Sequence, residues 1–281
     1  MWIDNELAYK LFENAVGDNP DDPPDFSPES DFGEGSPPTW EDEYRSQMLL
    51  LLSTLYLAIS DTVKNPTMKP EQMKTRINIL IDGFITQSDG RISKEVMKIH
   101  KLGSQAASNE ILSIGLYPGR RGDEAILRSI LQQQQDNMKH VANAIRDNAY
   151  GQMNWKLLQD KYVVPKQFEF TPNVNQAFRD GRTRIDRMAS YGATVAYAEG
   201  KLKVFREFEG EIMLNWMTRG DSRVCPVCMF YSDHNPYKPS EFPPPPHTGC
   251  RCYPVVAVEG QGSDGMDLFI LPIADSLTGT G

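Results

Sequence analysis

The stretch from Trp216 to Tyr253, WMTRGDSRVCPVCMFYSDHNPYKPSEFPPPPHTGCRCY, holds all four cysteines and two of the four histidines of a 281-residue chain. Cys225 and Cys228 form a C-x-x-C pair, and about twenty residues later His247, Cys250 and Cys252 form H-x-x-C-x-C. A C-x-x-C turn holds two thiolates on one side of a bend, and a second cluster across a hairpin can complete a tetrahedron, so the pattern reads as a closed zinc knuckle. Five candidate ligands compete for the four places of a structural zinc. Cys225, Cys228 and Cys250 are the firmest; His247 gains from facing back across the hairpin, and Cys252 from sharing a strand face with Cys250.

The flanks of the knuckle read as its frame. After Gly210 the apolar period becomes two, with Ile212, Leu214 and Trp216 alternating against Met213, Asn215 and Met217, as in a strand. Arg251 to Val258 is the natural return strand. Strand, metal loop, strand is the minimal unit, with Asp221 and Arg223 at the first strand's end positioned to tie the loop.

Upstream, the period is helical. From Glu41 to Lys64, Tyr44, Met48, Leu52, Leu55, Tyr56 and Ile59 recur at three and four, and Pro66 and Pro70 then interrupt. A second helix is expected from Glu71 to Thr86 and a third from Ile92 to Ile114, with a turn at Ser88-Asp89-Gly90 between them. Asp123 to Asp160 is the longest periodic segment. Val163 to Phe170 reads as a linker or edge strand because of Pro165. Thr171 and Pro172 suit a helix start, the helix running to about Glu209.

The two ends differ in composition. Residues 1–45 carry about 13 acidic against about 2 basic side chains, so the formal charge of -9 belongs to the N-terminal part and the remainder is near neutral. Residues 18–40 are rich in Pro, Asp, Ser and Gly and cannot offset their ordering entropy by burial, which predicts a flexible acidic arm. Trp2, Ile3, Leu7, Leu11 and Phe12 suggest a short amphipathic peptide at its tip. After 258 the chain is Gly-rich except for the apolar peptide Leu268 to Ala274. The expected plan is therefore α+β and predominantly helical: an arm over 1–40, a helical part over 41–170, a part over 171–258 with a long helix and the zinc-stapled β-hairpin, and a tail over 259–281.

These features exclude several chemistries and leave others open. No serine-hydrolase elbow, phosphate loop or dinucleotide fingerprint is present, and the H-x-E of zinc deaminases does not precede the C-x-x-C. The start MWIDNELAYK is acidic where a secretory signal would be basic and then apolar, which points to a cytoplasmic start. The apolar run Met48 to Ile59 is shorter than a spanning helix needs. Asp233-His234-Asn235 makes an HNH-type metal-dependent nuclease the alternative reading, although the spacing from Cys228 is too short for the strand that normally precedes such a dyad. Arg179, Arg182, Arg184 and Arg187, with Arg120 and Arg121, offer contacts to nucleic acid or an acidic partner, but Asp180, Asp186 and Glu199 are interspersed, as on a solvated salt-bridged face.

The motif W-x-T-x-x-D-x-R-x-C-x-x-C followed by P-P-x-H-x-x-C-R-C resembles the phage head morphogenesis family, the minor head proteins similar to the F protein of phage Mu. It falls on Trp216, Thr218, Asp221, Arg223, Cys225, Cys228, Pro244, Pro245, His247, Cys250, Arg251 and Cys252. The preceding AYAEGKLKVFREFEG also resembles the family, so the likeness covers roughly residues 180–256. Ser190-Tyr191-Gly192 stands where members often carry Arg-Thr-Glu, and Met229 to Asp233 replaces a short Leu-Asp-Gly turn. The resemblance implies a non-enzymatic virion component, present in the head interior or portal region and in the host cytoplasm during assembly. It would bind portal protein or capsid subunits, with packaged DNA a further candidate partner, and carry one structural zinc per chain, with no membrane and no small-molecule substrate.

Overall fold

The computed structural model describes residues 40–65, 67–119, 125–161, 173–218, 224–247 and 250–257. The N-terminal arm and its peptide, Arg120 and Arg121, Val163 to Phe170, Thr171 and Pro172, Asp221 and Arg223, and the C-terminal tail lie outside these residues. Four long helices come first: α1 (Trp40–Lys64), α2 (Pro70–Ser113), α3 (Ala125–Lys161) and α4 (Val174–Phe205). A 3-10 turn, Arg206–Phe208, leads to strand β1 (Leu214–Met217), short helix α5 (Pro226–Asp233), a second 3-10 turn and strand β2 (Tyr253–Val256). The protein is thus mostly helical with one small antiparallel sheet.

The expected second and third helices are one helix. Ile77, Ile81, Phe84, Ser88, Ile92, Val96 and Ile99 of α2 are buried in unbroken three-four phase, so one apolar stripe crosses the Ser-Asp-Gly triplet. Ser88 gives no turn because its buried hydroxyl donates to the carbonyls of Phe84 and Ile85, at 2.8 and 2.9 Å, within the helix. Pro70 opens this helix, and the Gln72 side chain accepts from the Lys69 amide at 3.2 Å. The cap of α4 is Asn173, whose side chain accepts from the amides of Asn175 and Gln176.

One core unites α1 to α4. Tyr44, Met48, Leu52 and Ile59 of α1 meet Ile81, Val96 and Ile99 of α2, Met138 and Ile145 of α3, and Phe178, Ile185 and Ala189 of α4. The boundary expected near residue 171 therefore separates segments that share this core. Three polar pairs bridge helices inside it: Ser190 donates to Glu41 at 2.5 Å, Arg45 to Asp186 at 2.7 Å, and Tyr44 to Gln134 at 3.5 Å. Among the described residues, α1 alone has the length and hydropathy of a bilayer span, and half of that window is buried in this bundle, as expected of a core helix.

The α2–α4 crossing is a backbone contact. A Cβ on Gly103 would lie 2.2 Å from the carbonyl oxygen of Tyr197, and one on Gly200 would lie 2.1 Å from that of His100. Ser104 Oγ donates to the Gly200 carbonyl at 2.9 Å across the same contact. The residue after Gly200, Lys201, is 1% exposed and pairs with Glu110 of α2. Its ammonium sits among the rings of Tyr197, Phe205 and Tyr253, 5.3 to 5.9 Å from their centroids. Burial lowers the Lys201 pKa, and the Glu110 carboxylate opposes that shift.

A second core hangs from this crossing: Ala107 and Ile111 of α2, Leu202 and Phe205 of α4, then Phe208, Ile212, Leu214, Trp216, Phe242, Val256 and three cysteines. The strands pair with Leu214 opposite Val256 and Met217 opposite Tyr253, so the sheet is shorter at both ends than the alternation suggested. Glu110 accepts the Val256 amide at 3.2 Å, tying the hairpin to α2 through the partner of Lys201.

Gly200→Ala is expected to destabilise the fold by about 3 kcal/mol or more, because both clashing atoms are backbone. Gly90→Ala, with open space around its Cβ and no turn to preserve, should instead stabilise by about 0.5–1 kcal/mol. Chemical denaturation of both variants checks this, and a loss of stability in the second would argue against a continuous α2. Lys201→Ala should cost about 3 kcal/mol by stranding Glu110 and opening a cavity between the two cores.

Candidate metal centre

The first cysteine pair lies on a helix start. Cys225 is the N-cap of α5, Pro226 occupies the first turn, and the Cys228 amide donates to Cys225 Sγ at 3.3 Å. A helix N-terminus and an amide hydrogen bond both favour a thiolate there. This local helix was not anticipated; Pro226, a residue suited to a first helical turn, was its signal. The second cluster arrives on the other side of the loop, where Cys250 and Cys252 immediately precede β2, with the partly buried Arg251 between them.

The five expected donors converge. Cys225, Cys228 and His247 form one group of mutually close ligand atoms, and Cys228, Cys250 and Cys252 form another, each within 4.8 Å. Cys228 belongs to both, and the two groups join there. His247 Nε2 lies 2.9 Å from Cys225 Sγ and 3.9 Å from Cys228 Sγ, and Cys228 Sγ lies 3.6 Å from Cys250 Sγ. A tetrahedral zinc with ordinary bond lengths has edges of about 3.8 Å between sulfurs and about 3.5 Å between sulfur and nitrogen. The donor set and its spacing therefore fit a metal ion.

The electrostatics agree with that fit. Cys250 is brought down to about 6, chiefly by the hydrogen bond from Cys252 and against the effect of burial. Cys252 moves up, foremost because its hydrogen bond to Cys250 holds its proton. Cys228 is pushed up to about 12 by burial and then by the neighbouring thiols. At Cys225 burial works upward but is outweighed by hydrogen bonds from Cys228 and by His247, and its pKa falls. Packed thiols with nothing positive between them resist ionising together; a divalent cation removes that conflict.

The surroundings fasten the loop. Trp216 stacks on Phe242 at 5.2 Å and meets Tyr231 edge-on at 4.9 Å. Its backbone is held by the Asn235 side chain, which accepts from the Trp216 amide at 2.5 Å and donates to its carbonyl at 3.3 Å. Tyr237 exchanges two backbone bonds of 2.7 Å with Leu214 on that same side of β1. Asn235, next to the Asp233-His234 pair of the nuclease alternative, thus completes the edge of a strand with its amide. Asp233 and His234 are exposed. His234 stacks on Phe230 and donates from Nδ1 to the Phe230 carbonyl at 2.7 Å, at the end of α5. Neither belongs to a cluster of three metal-binding groups among the described residues.

The arginines of α4 are not gathered into a site. Arg184 and Arg187 are exposed, and Arg184 donates to Asn137 of α3 at 3.4 Å. Arg179 and Arg182 are half-buried. Asp186 is taken by Arg45 of α1, so this face is tied into the bundle by ion pairs. No family model, curated protein or solved structure matches the chain.

Cys228→Ser is expected to abolish metal binding, since Cys228 alone belongs to both groups, and to lower the melting temperature as chelation does. Elemental analysis of reduced protein, with thermal denaturation before and after chelator treatment, measures both effects.

Proposed function

We propose that this chain is a phage minor head protein, an assembly component that acts at the portal or inside the procapsid by binding other proteins, and that one zinc ion staples its C-terminal hairpin. The observation that carries the reading is the set of five Cys and His donors gathered on one loop against the small core around Trp216. It lies within the segment whose sequence resembles the head morphogenesis family. Zinc suits the donors because it favours sulfur and nitrogen in a tetrahedron. We assign Cys225, Cys228, His247 and Cys250 as ligands, following the continuous run of contacts from Cys225 through His247 and Cys228 to Cys250, with Cys252 hydrogen-bonding to Cys250 from outside. When bound, the ion supplies folding energy to a hairpin too short to be stable alone.

A binding role also draws support from the outer face of α5, where Val227, Met229 and Phe230 stand about half exposed beside the ligands. The portal or capsid subunits would be engaged through such faces and through the terminal peptides, and the acidic balance of the chain disfavours general DNA binding.

Purified heads and portals should contain this chain in a fixed low ratio, measured by quantitative mass spectrometry; its absence from both would remove the proposal. A plasmid-nicking assay with magnesium or manganese should show no activity. Cleavage that disappears in His234→Ala would establish the nuclease reading in its place. Cys252→Ser should retain about one zinc per chain, and loss of the metal there would transfer the fourth ligand position to Cys252.

A further inference from the structure

Arg91, Lys94, Lys98 and Lys101 of α2 are spaced by three, four and three residues, so they form one stripe about 15 Å long on the helix surface. All four are exposed. Between residues 90 and 109 the sole acidic residue is Glu95, 2% exposed. The groups facing the stripe come from α1: Lys98 reaches Glu43 at 2.7 Å and Arg91 reaches Gln47 at 2.8 Å. The stripe therefore runs beside the first two turns of α1 with one exposed carboxylate against four cations. The α4 arginines differ, because there Asp180 and Asp186 stand among them.

The same turns of α1 are where the N-terminal segment enters. Trp40 is anchored by stacking on Tyr197 at 5.0 Å. Residues 18–34 carry seven carboxylates and no basic side chain, and the segment ends six residues before Trp40. Six residues span at most about 20 Å, so the length of the connection allows its last carboxylates, Asp31 and Glu34, to meet the Lys98–Lys101 end of the stripe and the earlier ones its remainder.

We propose that residues 18–34 lie along the Arg91–Lys94–Lys98–Lys101 stripe of their own chain as an electrostatic cover. The tether makes the contact intramolecular, with an effective concentration in the millimolar range, so weak individual ion pairs suffice to hold it. A free polyanion must then compete with the segment for the stripe. The acidic N-terminal part thus acts on the surface chemistry of the helical body, independently of the head-protein reading.

Zero-length carbodiimide coupling of the full, metal-replete chain, mapped by mass spectrometry, tests this. An equimolar mixture of unlabelled and 15N-labelled protein separates links within a chain from links between chains. Carboxylates of residues 18–34 should join Lys94, Lys98 and Lys101 in preference to Lys64, Lys69 and Lys74, within chains of one label. The yield should fall about fivefold or more between about 0.05 M and 0.5 M salt. In Lys94→Gln/Lys101→Gln, substitutions at exposed positions, coupling to Lys98 should fall by a similar factor. Equal coupling to the control lysines, salt-insensitive yields, unchanged coupling in the double variant, or a predominance of mixed-label links pointing to a second copy would each overturn the proposal.

Discussion

The approach of α2 and α4 at Gly103 and Gly200 is the constraint on which the rest of the molecule depends. Two helices whose backbones touch leave no room between them for side chains, so whatever follows the crossing is placed with little freedom. The residue after Gly200, Lys201, meets Glu110, and Glu110 carries the contact to the Val256 amide of the hairpin. The carboxylate thus serves two clients: it neutralises a buried ammonium and supplies an acceptor to the sheet. Burying that charge is tolerable because pairing and three aromatic rings replace its water.

Beyond that anchor the C-terminal part has little of its own to stand on. Two four-residue strands provide few ladder bonds. The loop between them compensates by folding back on β1, with Asn235 and Tyr237 occupying the edge that β2 leaves open. Three cysteines sit in the same small core as Trp216 and Phe242. Metal donors and apolar side chains are therefore parts of one packing problem, and loss of either loosens the other.

Much of this was legible in the sequence. The three-four spacing from Tyr44 to Ile59 and the alternation of Leu214 and Trp216 gave the α1 face and the strand directly, because local periodicity reflects which side meets a core. The cysteine and histidine spacing brought the donors together before any geometry was known. The division of α2 was misjudged at Ser88-Asp89-Gly90, where turn-forming residue types outweighed an uninterrupted apolar phase, and tertiary burial decided the outcome. The Lys201–Glu110 pair and the role of Asn235 depend on contacts 91 and 19 residues apart, and no local pattern marks them. Gly103 and Gly200 carry no local signal of their role; what makes them necessary is each other's helix.

Tyr197 has a further geometric consequence. Trp40, the first described residue, stacks on one side of its ring, and Tyr253 at the start of β2 meets it edge-on, with centroids 5.0 and 5.7 Å away. The start of α1 and the start of β2 are thereby packed on one side chain, although more than two hundred residues of chain separate them. The aromatic trio couples the entry of the helical bundle to the C-terminal hairpin, a clasp fixed by one tyrosine.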